Sequence, residues 1–253
     1  MNILVFMGKW VGRNCADFLL REFPEDRYTF IVTDPERKES LDFLSHHGQA
    51  PMELNEKSIE TLNAFEPDHF DWLLNLWGGY IFKPSTLQLA RRSLNIHPGY
   101  LPHCRGRDPV VWAIRKELPA GVALHAIERT VDTGAIWYRE EVPYALPVHG
   151  KELYEKVIDR SWRAFCEQWP SIRTATTEPI IQEAAPPPHT RKELLEDRWL
   201  DLDANPEIKD VVSKLLSHDF SPSYTARLTL NGQAYDATLS LTPCEDETGN
   251  SNG

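Results

Sequence analysis

The stretch Leu94-Asn95-Ile96-His97-Pro98-Gly99-Tyr100 decides how the rest of this 253-residue chain is organised. Asn95 and His97 are two positions apart, and on a β-strand such side chains lie on the same face. The Pro-Gly pair that follows cannot continue a strand ladder, so the strand ends directly after His97. We therefore expect an amide and an imidazole at one strand end, where they face the adjoining crevice.

A second stretch, Val131-Asp132-Thr133-Gly134, supplies a carboxylate. Its pattern is typical of a loop, because Gly134 allows a tight backbone. A carboxylate, an imidazole and an amide that converge can move protons and stabilise a developing oxyanion. The alternative is a strand end that merely carries polar caps. We expect instead that Asn95, His97 and Asp132 meet in one site.

These stretches and the residues between them resemble the folate-dependent formyltransferase family. The resemblance is carried by Asn95-Ile96-His97-Pro98, Leu101-Pro102, Arg105-Gly106, Pro109, Trp112-Ala113-Ile114, Gly121-Val122-Ala123-Leu124-His125 and Val131-Asp132-Thr133-Gly134. Their order and spacing agree with the family, clearly over residues 71–138 and more loosely over 1–181. The resemblance implies that Asn95, His97 and Asp132 are the catalytic residues. It also implies 10-formyltetrahydrofolate as the formyl donor, with no metal and no covalent enzyme intermediate.

Apolar runs alternate with helical spacing along the first part of the chain. Strands are predicted at 2–7, 28–32, 71–76, 122–127 and 135–144, and helices at 11–23, 36–47, 55–65, 84–90, 109–116 and 153–169. The early strand–helix alternation predicts an α/β fold with a doubly wound, mostly parallel sheet. The resemblance makes this sheet formyltransferase-type. The long amphipathic helix is expected to cover the sheet.

Ala184-Ala185-Pro186-Pro187-Pro188 is the predicted domain boundary, because a proline run is stiff and breaks regular structure. We expect a catalytic domain over 1–183, a linker over 184–189, a small C-terminal domain over 190–244 and a disordered tail over 245–253. The small domain is predicted to contain a helix at 206–216. It should also contain a β-hairpin around Asn231-Gly232, a strong turn signal between two alternating segments.

Two turns are candidates for ligand contact. The resemblance implies that the turn after strand 71–76 lines the pterin pocket, and the expected folate-binding residues are Leu76, Trp77, Gly78, Tyr80, Val131 and Asp132. The turn Gly8-Lys9-Trp10-Val11-Gly12 has neither a dinucleotide fingerprint nor a P-loop. It nevertheless follows the first strand, where ligands bind in open α/β sheets. The residues expected to bind the acceptor are Lys9, Trp10, Pro98, Gly99, Tyr100 and Arg105. His125 is expected to be a supporting group.

Net charge, cysteine spacing and the lack of long apolar runs disfavour several classes of function and location. The formal net charge of −11 is the wrong sign for a nucleic-acid binder. The four cysteines are scattered, which disfavours a metal knuckle or a disulfide framework and suits a reducing compartment. The N-terminus lacks the pattern of a signal peptide, and no apolar run is long enough for a membrane span. We expect a cytoplasmic protein that binds neither nucleic acid nor membrane.

Members of this family transfer the formyl group to several different acceptors. The acidity, and an appendage shorter than a tRNA-binding domain, disfavour methionyl-tRNA formyltransferase. The first turn differs from the glycine- and serine-rich phosphate loop of glycinamide ribonucleotide formyltransferase. The chain looks most like the sugar N-formyltransferases, which formylate nucleotide-linked amino sugars such as dTDP-4-amino- or dTDP-3-amino-6-deoxyhexoses. By the same likeness we expect a homodimer formed through the C-terminal region. A formyltetrahydrofolate hydrolase and a non-catalytic folate-binding module remain alternatives.

Overall fold

The computed structural model describes residues 1–33, 37–182 and 186–244. A seven-stranded sheet forms its centre, with the strands in the order β3-β2-β1-β4-β5-β6-β7. Their bounds are β1 Asn2–Met7, β2 Arg27–Val32, β3 Met52–Glu53, β4 Phe70–Leu76, β5 Ala90–His97, β6 Gly121–His125 and β7 Ile136–Glu141. Neighbouring strands from β3 to β5 run parallel, whereas β6 and β7 are antiparallel to their neighbours. The predicted mostly parallel α/β fold is confirmed.

Helices pack on both faces of this sheet. They are α1 Lys9–Glu22, α2 Arg37–His46, α3 Glu56–Asn63, α4 Pro84–Leu87, α5 Pro109–Lys116, α6 Gly150–Arg173, α7 Arg191–Asp197 and α8 Ile208–Ser217. One face buries Val5, Leu74 and Leu94 against Leu19 of α1 and Phe165 of α6. The other face buries a smaller cluster against α3 and the chain around α4. Burial on both faces explains why the parallel strands read as continuous apolar runs rather than alternating patterns.

The structure corrects two details of the sequence reading. The helix predicted over 84–90 ends at Leu87, because from Ala90 onward the backbone pairs with β4, beginning at Phe70. The two-residue strand β3 was not predicted, since Met52-Glu53 is too short for a detectable period. The predicted start of α3 is borne out in atomic detail. Asn55 and Ser58 form reciprocal side-chain to backbone hydrogen bonds at its first turn.

The last part of the chain packs on α5. There α8 lies against α5, and the hairpin strands β8 Ala226–Leu230 and β9 Gln233–Ala237 form a separate two-stranded sheet. Asn231 and Gly232 both have positive φ values, of 49° and 78°, which fits the predicted two-residue turn. Residues 184–185 of the predicted linker and the predicted tail over 245–253 lie outside the described residues. Within the described ranges, no helix is both long and apolar enough to cross a membrane.

Candidate active site

Three neighbouring strands place a row of polar side chains at one level of the sheet. Asn75 of β4 is in register with Asn95 of β5, and Asn95 is in register with His125 of β6. Asn75 Nδ2 donates to Asn95 Oδ1 at 2.7 Å, and Asn95 Nδ2 lies 2.9 Å from His125 Nε2. The Asn95 amide is therefore held from both sides. Its Nδ2 carries a second hydrogen, which can donate to a bound molecule.

His97 is the last residue of β5 and lies beside this row. Its side chain is 5% exposed, and its Nδ1 lies 3.5 Å from Asp132 Oδ2. His125 Nε2 lies 3.5 Å from Asp132 Oδ1, so the carboxylate sits between the two rings. Sequence reasoning expected Asn95, His97 and Asp132 to meet, and the structure brings them together. The fold gives His125 a bridging position between Asn95 and Asp132.

Glycines keep the space around His97 and Asp132 open. A Cβ on Gly99 would lie 2.6 Å from His97 Nε2. Gly106 has a φ of 87°, and its N–H donates to Asp132 Oδ2 at 2.8 Å. A Cβ on Gly106 would lie 2.3 Å from the carbonyl oxygen of His189. The loop between β5 and α5 can therefore lie between Asp132 and the His189 backbone only with glycine at this position.

The charges of His97 and Asp132 follow from their surroundings. Burial lowers the pKa of His97, and His125 lowers it further, while Asp132 and the Cys104 carbonyl act in the opposite direction. Burial alone would raise the pKa of Asp132. His97, His125 and the Gly106 N–H outweigh this effect and hold that pKa well below its usual range. At neutral pH the site therefore holds an ionised carboxylate beside a neutral imidazole. Such an imidazole must first accept a proton before it can donate one.

Asn75 is the site residue that sequence reasoning missed. Its Nδ2 also contacts the Gly78 carbonyl at 3.2 Å, and its Oδ1 accepts from the Gly78 N–H at 3.1 Å. The side chain thus joins the turn after β4 to Asn95. A polar residue inside the apolar run Trp72-Leu73-Leu74-Asn75-Leu76 was the available signal, because a buried amide needs hydrogen-bond partners.

The residues expected to bind folate lie around two turns next to the row of Asn75, Asn95 and His125. Leu76 is fully buried in the core, whereas Tyr80 is partly buried and its ring packs on Phe6 with centroids 5.3 Å apart. The turn between them starts at Trp77, whose φ is 67°. At Gly79, a Cβ would meet nothing within 4 Å, so the backbone here is open. Val131 is 45% exposed on the loop that carries Asp132.

The residues expected to bind the acceptor are divided between two places. Pro98, Gly99 and Tyr100 continue from His97, and the Arg139 guanidinium lies 4.9 Å from the centre of the Tyr100 ring. Arg105 donates to the Pro186 carbonyl, so its side chain is turned toward the proline-rich segment. Lys9 is exposed at the start of α1. Trp10 is 38% exposed and lines a cleft of about 490 Å³.

The proline-rich segment lies against the loop that contacts Asp132. His189 N donates to the Arg105 carbonyl at 2.8 Å, and Arg107 N donates to the His189 carbonyl at 2.9 Å. The His189 ring stacks on Trp112 of α5, with centroids 4.0 Å apart. These contacts hold residues 105–107 from the side opposite Asp132. Across the part of the chain that the structure describes, no group of three or more His, Cys, Asp or Glu side chains is placed to hold a metal.

Comparison with known proteins identifies the family. The Formyl transferase family model matches residues 34–168, more than half of the chain, and this chain belongs to that family. The resemblance seen in the sequence is thereby confirmed. Among curated relatives, a methionyl-tRNA formyltransferase of Synechococcus sp. (strain JA-3-3Ab) is 29% identical over 126 residues, which cover 49% of this chain and 39% of that protein. The chain thus matches less than half the length of this relative.

Solved structures share the fold over a longer range. A sugar N-formyltransferase from Shewanella sp FDAARGOS_354 has a TM-score of 0.82 at 19% identity, with 97% of this chain and 99% of that chain covered. The formyltransferase PseJ from Anoxybacillus kamchatkensis, solved in complex with UDP-4,6-dideoxy-4-formamido-L-AltNAc and tetrahydrofolate, has a TM-score of 0.60 at 25% identity. That match covers 86% of this chain and 98% of the other. The fold is therefore that of the formyltransferases, with sugar N-formyltransferases among its structural neighbours.

Proposed function

We propose that this chain transfers a formyl group from 10-formyltetrahydrofolate to the amine of a nucleotide-linked amino sugar. A dTDP-4-amino- or dTDP-3-amino-6-deoxyhexose is the first acceptor to test. The observation that carries the proposal is the meeting of Asn95, His97 and Asp132 at the end of β5. The Formyl transferase family match and the fold shared with sugar N-formyltransferases support it.

The geometry suits acyl transfer. As the acceptor amine attacks the formyl carbon, negative charge develops on the formyl oxygen, and the second N–H of Asn95 donates to it. Neutral His97 takes the proton that the amine loses. The imidazolium then returns that proton to the folate nitrogen as its bond to the formyl carbon breaks. Asp132 stabilises the imidazolium between these two transfers and is not itself protonated, because its pKa is held low.

The turns beside the site fit a flat folate ring. The open backbone at Gly79 follows Gly78, which is bonded to Asn75 at one end of the Asn75–Asn95–His125 row. The exposed Val131 precedes Asp132, which lies against His125 at the other end. Backbone N–H and C=O groups of such turns can hydrogen-bond the edge of a heterocycle. We propose that the donor binds between the Trp77–Gly79 turn and the 131–132 loop, with its formyl group toward Asn95 and His97.

The cleft beside Trp10 supports a nucleotide acceptor. The rings of Trp10, Tyr154 and Phe220 line it together with Lys151, and its volume of about 490 Å³ is in the range of small-molecule sites. Aromatic faces stack on nucleobases, and lysine attracts phosphate. Tyr154 and Trp77 pack against the same core cluster, so the cleft adjoins the proposed donor turn. We propose that the base lies in this cleft while Lys9 or Arg105 contacts the diphosphate.

Methionyl-tRNA formyltransferase is the second candidate, because the curated relative carries that activity in its name. The formal net charge of −11 argues against it, since tRNA phosphates are repelled by an acidic protein. Direct comparison of the two acceptor classes on one preparation decides between them.

The test is an acceptor panel with the purified full chain and 10-formyltetrahydrofolate. It comprises dTDP-, UDP- and GDP-linked amino sugars, glycinamide ribonucleotide, methionyl-tRNA and a reaction without acceptor. Mass spectrometry should show one added formyl group on an amino-sugar nucleotide. Formylation of methionyl-tRNA alone would replace the proposal with the second candidate. Formate release without an acceptor would indicate a hydrolase, and folate binding without turnover would indicate a non-catalytic module.

Steady-state kinetics on the accepted sugar nucleotide then tests the cleft. Trp10→Ala, Lys9→Ala and Arg105→Ala should raise the KM for the sugar nucleotide much more than the KM for the formyl donor. Arg163→Ala is the matched control, because Arg163 pairs with Asp159 on the exposed side of α6. Unchanged sugar-nucleotide KM values in all three variants would place the nucleotide elsewhere.

We also propose a homodimer that forms through the C-terminal hairpin. A two-stranded sheet is marginal by itself and needs a surface to pack on. Leu230 and Tyr235 of the hairpin are 48% and 50% exposed, respectively, so apolar surface on these strands is uncovered in the single chain. A second copy of the same hairpin would cover it.

A further inference from the structure

Asp132 has a backbone conformation that needs support. Its φ is 53°, in the left-handed region that residues other than glycine seldom occupy. Two residues later, Gly134 passes so close to the chain after β6 that a Cβ would lie 1.8 Å from the Ala126 carbonyl oxygen. The direction of the Asp132 carboxylate depends on this backbone, so whatever holds the loop also aims the carboxylate.

The side chain of Gln182 holds both flanks of this turn. Its Nε2 donates to the Asp132 carbonyl at 3.0 Å and to the Gly134 carbonyl at 2.6 Å. Two donated bonds fix which end of the amide faces the loop. The other end, Oε1, is buried and has no hydrogen-bond partner within residues 1–33, 37–182 and 186–244. A side chain that keeps a buried oxygen unpaired points to a specific use for its donor end.

The backbone near Gln182 is itself fixed to the sheet. Ile180 and Ile136 exchange two backbone hydrogen bonds of 2.8 Å each at the start of β7. Ala126 N donates to the Ala135 carbonyl at 2.8 Å, which closes the base of the loop that carries Asp132. Gln182 is two residues beyond the Ile180 bridge. Its amide therefore reaches the loop from an anchored position.

We propose that Gln182 is a positioning residue that keeps the Asp132 carboxylate between the His97 and His125 rings. The carboxylate meets three groups there: the Gly106 N–H at 2.8 Å and one ring nitrogen of each histidine at 3.5 Å. Gln182 donates to the backbone of the Asp132 loop and acts on the reaction through Asp132. The proposal rests on the formyl transfer proposed above.

Two substitutions at Gln182 remove its hydrogen-bond donor while the size of the side chain stays nearly the same. Gln182→Met keeps the length of the side chain and removes the donor. Gln182→Glu keeps the shape but turns a carboxylate oxygen toward two carbonyl oxygens. Small misplacements at a reacting centre are costly, so we expect kcat to fall about tenfold in Gln182→Met and further in Gln182→Glu. Both KM values should stay within about twofold, because the binding turns are untouched.

Gln233→Met is the matched control. Gln233 is exposed in β9, and its amide donates to the carbonyl of the next residue, Ala234, at 3.2 Å. The same substitution at that position should leave kcat and Tm unchanged. A fall in kcat in the control equal to that in Gln182→Met would overturn the proposal.

The titration of His97 gives a readout that does not need turnover. The Asp132 charge raises the pKa of His97 against burial and His125, so a displaced carboxylate should let that pKa fall. NMR of the full chain should therefore show His97 titrating at lower pH in both Gln182 variants than in the wild type and Gln233→Met. Unchanged titration in both variants overturns the proposal, whatever happens to kcat or Tm. A shifted titration in a chain that formylates no acceptor would keep the positioning role and reject the proposed function.

Discussion

Asn95 Nδ2 lies 2.9 Å from His125 Nε2, while His125 Nδ1 lies 2.7 Å from the carbonyl oxygen of Ala126. The carbonyl can only accept, so Nδ1 carries a proton, and Nε2 is the ring nitrogen that faces the Asn95 amide. Together with Asn75 on β4, His125 on β6 therefore holds the Asn95 amide from the neighbouring strands. This arrangement gives the supporting histidine a defined role, which is to aim an amide hydrogen.

Replacing His125 by Ala should therefore lower kcat more than either KM. We expect a loss of about 10- to 100-fold, smaller than that for loss of an oxyanion donor itself, because Asn75 still holds the other end of the Asn95 amide. Steady-state kinetics with each substrate varied in turn measures it. A variant with wild-type kcat would show that Asn95 needs no support from His125.

The pH dependence of kcat tests the charges in the site. Neutral His97 is the proposed base, and burial lowers its pKa, so the acid limb of kcat should lie below about pH 6.5, the ordinary value for histidine. In Asp132→Asn the carboxylate that raises this pKa is lost. The acid limb should therefore move to still lower pH, and the plateau value of kcat should be reduced. A limb that moves upward in the variant would contradict the assigned interaction.

Arg115 joins the C-terminal part of the chain to α5 and should carry much of its stability. It donates to Asp197 through two nitrogens at 2.9 and 3.1 Å and to Asp210 at 2.7 Å, and its side chain is 12% exposed. His218 lies 2.8 Å from the same Asp197. Arg115→Ala leaves these carboxylates without their cation, so we expect a loss of about 3 kcal/mol in denaturant unfolding.

Arg163→Ala provides the control for that measurement. The Arg163–Asp159 pair spans 2.9 Å on α6, and both side chains are 53% exposed. Exposed pairs contribute about 0.2–1 kcal/mol, so this variant should remain close to the wild type. Equal losses in the two variants would mean that the Arg115 network adds nothing beyond a surface ion pair.

The hairpin surface should control the oligomeric state. Leu230→Lys combined with Tyr235→Lys places charge on the exposed face of β8 and β9, which a dimer interface would not tolerate. Light scattering should show a dimer for the wild type and a monomer for the double variant. Thr229→Lys, at a neighbouring exposed position, tests whether added charge alone has this effect. A double variant that remains dimeric would exclude the hairpin as the interface.

Much of the fold could be predicted because its elements have local signals. The apolar run 2–7 and the Asn231-Gly232 turn can each be recognised from a few consecutive residues. The family motif additionally predicted that Asn95, His97 and Asp132 meet. Their meeting depends on strand order and on the reversal of direction at β6, which no local pattern contains.

The supports of the site were harder to predict, for a physical reason. Gln182 reaches Asp132 from 50 residues away, and His189 pairs with the loop at Arg105. Both contacts form between irregular segments that have no period and no turn signature. Asn75 was visible only as one polar residue within an apolar strand. Its partner Asn95 becomes apparent once β4 and β5 are placed side by side.

The central claim is that His97 carries protons in formyl transfer, and one variant tests it directly. His97→Asn retains a polar side chain at the end of β5 but has no group that titrates near neutral pH. With the accepted amino-sugar nucleotide and 10-formyltetrahydrofolate, single-turnover rates should fall by roughly a hundredfold to ten-thousandfold, while circular dichroism and folate binding stay at wild-type values. A His97→Asn variant that transfers the formyl group at a near-wild-type rate would contradict the account.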